Sequence, residues 1–158
     1  MGKIGFTIAP GPHDGLAEAN VALPVVWGNV HETRETGVYL DTKGSDGNAI
    51  AAVNGHVYLR PGTVLIKTSG NLWRAVNQTA AASAPDTDKN KAIFEATAVG
   101  ILKATVDLAD GGGMVGIYIS GGFFGARMPS VAANDTPGLE ATALTALKLR
   151  GFKFAEDY

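Results

Sequence analysis

Three histidines, two neighbouring aspartates and a run of glycines are the residues whose types and spacing bear on chemistry. His13, His31 and His56 form no pair at metal-ligand spacing. His31 is followed by Glu32, but an H-E-x-x-H pair needs a histidine at position 35, where Glu35 stands. Such histidines read as exposed or capping residues. Asp107 and Asp110 flank a turn, where aspartates either bind a cation or, more commonly, brace the turn. Gly111, Gly113 and Gly116 satisfy G-x-G-x-x-G, yet a dinucleotide site needs those glycines to open a helix. Here "MVGIYIS" follows, rich in β-branched residues that prefer a strand, so the glycines read as a hairpin turn. Serine, histidine and aspartate are all present, but no G-x-S-x-G elbow frames a serine. There is no cysteine, so thiolate zinc sites, cysteine nucleophiles and disulfides are excluded. The sequence thus predicts no catalytic residue, no metal and no cofactor.

The charge balance narrows the partners. Of the 158 residues 18% are charged and the net charge is -2, which supplies no basic footprint for phosphate binding, so nucleic acid is not expected as a partner. No apolar run approaches the ~18–20 residues of a membrane span, so no membrane partner is expected either. The opening "MGKIGFTIAPG" has one lysine and no apolar core of a signal peptide. It begins like a myristoylation signal, but Phe6 stands where that pattern needs Ser or Thr.

The elements expected to carry the remaining residues are mostly strands. The 21 glycines fall between β-branched and aromatic runs, which favours short strands with many turns. "GVYLD" reads as one strand. "GHVYLRPGTVLIKTSGNLWRAV" carries strands near Val57–Leu59, Thr63–Thr68 and Leu72–Val76, the last two joined by a turn at "SGN". "NQTAAASAPDTDKNK" is too poor in large apolar residues for a core element and reads as a surface loop. A strand through Ala98–Leu108, bent near Lys103, is expected to pair with Met114–Ser120, with a bulge or bend at Gly121 and Gly122. One helix is expected near the carboxyl end, capped by Thr136, with Pro137 in its first turn and Gly151 stopping it before the strand "FKF". The fold class is therefore mainly β with one C-terminal helix (α+β).

Residues 1 to about 35 read differently from the β domain at 36–158. "KIGFTI" places Ile4, Phe6 and Ile8 on one face of a strand, but "APGPHDG" follows at once and leaves it nothing nearby to pair with. Val25, Trp27, His31, Glu32 and Arg34 follow around Pro24 and the charged run "HETRETG". This is an arm with anchor points, in which an aromatic such as Trp27 has the character of an interface hot spot. Ordering a chain of roughly 30 residues costs about 1–2 kcal/mol per residue, so the arm needs strand pairing and buried anchors to order on a partner.

Four blocks, "RPGTVLIKTSGNLWRAV", "ATAVGILKATVDL", "VGIYISGGFFGARM" and "ALTALKLRGFKF", follow one another in an order that resembles the head decoration proteins of tailed bacteriophages, the family typified by the lambda decoration protein. The resemblance spans about residues 31 to 155. It implies a compact β-tulip-like decoration-protein fold with an extended amino-terminal arm. It further implies a homotrimer on the outer surface of the expanded capsid, cementing the shell against packaged DNA, with the major capsid protein as partner and the virion as location. In the family the arm orders on the capsid beside a loop of the major capsid protein, a role that falls here on Ile4, Phe6, Ile8, Val25, Trp27, His31, Glu32 and Arg34. Residues 1–35 are longer than the arm of the type member. Two other classes stay open: a small hydrolase using the histidines and the Asp107–Asp110 region, which needs a convergent polar pocket, and a ligand-binding β domain, which needs a concave apolar one.

Overall fold

The computed structural model describes residues 25–32, 37–76, 86–131 and 137–155, with the side chains of 27–32 and 86–90 excepted. Alternation of inward and outward side chains builds its strands. β1 is Val26–Glu32, β2 Val38–Gly44, β3 Tyr58–Leu59, β4 Val64–Lys67 and β5 Leu72–Ala75. Further along come β6 Val99–Leu102, β7 Val106–Asp107, β8 Gly113–Val115, β9 Ile117–Phe123 and β10 Lys153–Phe154. Two helices interrupt them, α1 at Asp86–Glu95 and α2 at Ala141–Leu149. The protein is mainly β, with a helix near its carboxyl end as expected.

Eight strands form one sheet in the order β1-β9-β6-β4-β5-β2-β8, with β10 added to β9. The β4–β5 hairpin has the predicted turn at Ser69–Asn71, where Gly70 and Asn71 take the left-handed conformation that a short reversal requires. On β4 the side chains alternate between two cores. Val64 and Ile66 face one cluster with Val99, Ile101, Phe123, Ile93 and the buried side of α2, Ala143, Ala146 and Leu147. Leu65 faces the other, with Leu40, Trp73, Ala75, Leu102 and Ile117. The small β3–β7 ribbon closes that second cluster through Leu59 and Leu108. The central strands are thus buried on both faces, which is why they read as apolar runs.

Four local expectations are corrected. The loop expected over "NQTAAASAPDTDKNK" ends in α1, which is anchored by the fully buried Ile93 just past that run. Its last turn is capped from afar: Arg150 Nη2 donates to the carbonyl oxygens of Phe94, at 2.8 Å, and of Ala96. The strand expected over Met114–Ser120 divides at Gly116. β9 pairs with β6 as foreseen, but β8 joins β2, with Met114 opposite Tyr39. The irregularity expected at Gly121 and Gly122 is present, but it does not interrupt β9, which runs on to Phe123. The irregularity is absorbed by a positive φ at Gly121 and by register shifts against β1.

The start of α2 also differs. Pro137 is not in its first turn but bridges Pro129, and Gly138 takes φ 98 while donating to the Met128 carbonyl at 2.7 Å. That backbone state cannot continue a helix, so α2 begins at Ala141 behind Glu140. Thr136, the expected cap, lies outside the described residues. Glu140 has turned its carboxylate to the preceding loop, accepting from the Ser130 hydroxyl and, at 3.2 Å, from the Val131 N–H. At the other end Gly151, at φ 92, stops the helix as predicted, and Phe152 and Phe154 return into the core.

Candidate functional site

The expected contact residues divide sharply. Ile4, Phe6, Ile8 and Arg34 lie outside the described residues. Val25 is 6% exposed and sits in the larger core, with its carbonyl accepting from the Phe124 N–H at 2.7 Å. It is therefore buried inside the domain, which differs from the contact role expected of it. Trp27, His31 and Glu32 lie on β1, whose backbone pairs antiparallel with β9 as Val26 with Phe123, Gly28 with Gly122, His31 with Ser120 and Glu32 with Tyr118. The sheet consequently begins at Val26, inside the stretch expected to be arm. The reason is that β9 offers β1 a partner edge that no local segment could supply.

β1 stands at one border of the sheet and β8 at the other. Among the described residues neither has a strand on its outer side. A sheet border presents unpaired N–H and C=O groups at regular spacing, so each is a template for strand addition.

A second feature lies on the β5–β2–β8 side. Ile66 and Arg74 are partners across β4–β5, and Leu72 shares the face of Arg74 by the two-residue period. Tyr39 pairs with Leu72 and Met114 with Tyr39, so Leu72, Tyr39 and Met114 form one row across three strands. This is the same sheet face that the helices cover over β4, β6 and β9. Here they do not reach: Tyr39 is 45% and Met114 56% exposed. Beside the row, Arg74 Nε donates to Asp41 Oδ2 at 2.8 Å.

The aspartate and histidine singled out from the sequence do meet. His56 Nδ1 lies 2.8 Å from Asp107 Oδ2, and the imidazole stacks on Tyr58 with ring centroids 5.0 Å apart. The other carboxylate oxygen, Oδ1, accepts from the Val57 and Ala109 N–H groups, both at 3.0 Å. All of this ties the 53–58 turn to β7, the bracing role foreseen for Asp107. Burial acts to raise the Asp107 pKa, but the bonds from His56, Val57 and Ala109 outweigh it and hold the carboxyl below the ordinary value. No group of three or more potential metal ligands occurs among the described residues. Gly111 and Gly113 lead into β8 rather than a helix, against the dinucleotide reading, but they are not the expected hairpin turn either, because β7 before them pairs with β3 and β8 after them with β2. Among the described residues no helix is long and apolar enough to cross a membrane.

No protein-family model, curated protein or solved structure matches this chain. The exposed row was missed in the sequence because it joins β2 to a strand far along the chain. Its signal was nonetheless present in "GVYLD", where the alternation that buries Leu40 turns Tyr39 outward.

Proposed function

We propose that this chain is a capsid decoration protein, a non-catalytic cement that binds as a trimer to the outer surface of an expanded phage head at local threefold sites. The observation that carries this reading is the way the chain enters its domain. Residues 1–24 lead directly into β1, a strand at the border of the sheet. A strand at a sheet border is a template for strand addition, and "KIGFTI", earlier in the chain, has the alternation for adding a strand to a neighbouring protein. The four sequence blocks behind the resemblance fall on β4–β5, on β6–β7, on β9 with the turn after it, and on α2–β10. They are the scaffold, and the arm is the contact. Three arms on one trimer raise avidity by about 10²–10⁴ without further contacts.

The experiment is co-sedimentation of the full chain with expanded and with unexpanded heads of the matching phage. Saturable binding to expanded heads only is the expected result. Equal binding to both forms, or to neither, contradicts the cement reading. Among the described side chains the hydrolase alternative is served by the His56–Asp107 pair, whose carboxylate oxygens are both engaged in holding the turn.

A further inference from the structure

We propose that Asn54 is a self-modification site, its carboxamide converting through a cyclic imide with the Gly55 nitrogen to a mixture of aspartate and isoaspartate. The inference stands whether or not the chain binds a shell. Such a reaction needs an asparagine followed by a residue without a Cβ, a carboxamide that nothing holds, open space around the next nitrogen and a backbone that can rotate. Asn54–Gly55 is the only Asn–Gly step in the 158 residues. Both residues are exposed, and a Cβ placed at Gly55 would meet nothing within 4 Å. The Asn54 carboxamide has no hydrogen-bond partner among the described residues, whereas Asn48 donates through Nδ2 to Asp46 Oδ2 at 3.1 Å and is followed by Ala49. Asn71 also lies at a positive φ, 68, but Leu72 follows it.

Asn54 and Gly55, at φ 52 and 84, are the central residues of a tight turn whose flanks, Val53 and His56, exchange backbone hydrogen bonds at 2.8 and 3.0 Å. Two positive φ values mark a type I′ turn. In that turn the Gly55 nitrogen is rotated away from the Asn54 side chain about the Cα–C bond, so attack waits on opening of the turn. Two hydrogen bonds at an exposed hairpin tip are a small barrier to such local opening. What limits it is the brace behind the turn, where His56 Nδ1 lies 2.8 Å from Asp107 Oδ2 and the Val57 N–H donates to Asp107 Oδ1 at 3.0 Å. In the step itself the Gly55 amide gives its proton to solvent and its nitrogen bonds to Asn54 Cγ. The Cγ–Nδ2 bond breaks, and ammonia leaves with a proton from solvent. Water then opens the imide. Breaking the new bond to Cγ restores the backbone as aspartate, while breaking the bond to the Asn54 carbonyl carbon routes the backbone through Cβ and Cγ as isoaspartate. Water enters, ammonia departs, and nothing is oxidised or reduced. Isoaspartate lengthens the turn by one backbone atom and adds a negative charge, so the Val53–His56 exchange is lost and the 53–58 turn loosens from β7.

The test ages the full chain in warm neutral buffer and follows the tryptic peptides 44–67 and 68–74 by mass spectrometry, with isoaspartate counted by a carboxyl methyltransferase specific for it. Arg60 precedes Pro61, so the first peptide stays whole. A synthetic peptide of residues 44–67 is aged beside the chain. Asn54 in the folded chain is expected to convert more slowly than in the peptide, but about tenfold or more faster than Asn48 and Asn71 of the same chain, which lack a following glycine. An Asn54 that stays an amide while the synthetic peptide converts overturns the proposal, as does conversion at Asn48 or Asn71 as fast as at Asn54. Asp107→Ala, which removes the brace, is expected to speed conversion at Asn54 severalfold and to leave Asn71 unchanged. An unchanged Asn54 rate in that variant, or an equal rise at both residues, contradicts the brace as the limiting element.

Discussion

Asp41 and Asp107 are the side chains whose titration is expected to couple this domain's stability to acid. Burial acts to raise the Asp41 pKa, and the Arg74 and Thr42 hydrogen bonds with the Arg74 charge more than offset it, so like Asp107 it sits below the ordinary 3.8. A lowered folded value means the unfolded chain takes up protons first. Each carboxylate therefore contributes stability that is present above the unfolded value and is lost as pH falls through the folded one. Urea midpoints measured from about pH 5 down to about pH 2 should drop for the parent and drop less for Asp41→Asn and Asp107→Asn. Identical acid limbs in parent and variants would remove the assignment. A second residue-scale prediction concerns Gly37, at φ 73, where a Cβ would lie 2.1 Å from the Val115 carbonyl oxygen. Gly37→Ala forces β2 away from β8 and is expected to cost about 2 kcal/mol in chemical denaturation. A neutral result would mean that the two strands do not meet as described.

At the scale of elements, what could be read in the sequence is what short-range physics decides. The β4–β5 hairpin was legible because alternation and a turn with Gly70 and Asn71 agree. Phe152 and Phe154 were legible as sharing one side of a strand by the same period, while their place in the core was not. The helix α1 was not, because its anchor Ile93 is one residue and its cap Arg150 stands far along the chain. The β2–β8 pairing was likewise hidden, and with it the exposed row of Tyr39 and Met114. Pro137 misled because Gly138, not the proline, decides where α2 can start. The cap itself is testable: Arg150→Ala should lower stability by about 1 kcal/mol and speed amide exchange in the last turn of α1, which loses two carbonyl partners. Unchanged exchange there would show that the guanidinium is not the cap.

At the scale of the molecule, the central strands are buried on both faces, while among the described residues the two borders of the sheet and the row of Tyr39 and Met114 are uncovered. The tilted rings of Tyr118, Phe123 and Phe152, with centroids 5.8 and 5.9 Å apart, sit where β9, β10 and α2 converge. Phe123→Ala is expected to cost about 3–5 kcal/mol in denaturant titration. A loss below about 1 kcal/mol would mean this convergence is not the core. Among the described residues the sheet starts with β1, which fixes where a truncation can be made. Removing residues 1–24 is expected to retain the β1–β9 pairing, whereas removing 1–32 strips that strand from β9 and takes Val25 and Val26 out of the larger core. The measurement that tests the account most directly is co-sedimentation of the chain lacking residues 1–24 with expanded heads, beside the full chain. The account predicts a truncated protein that melts like the parent and keeps its oligomeric state but no longer sediments with the shells. Undiminished binding by that truncated chain would contradict it.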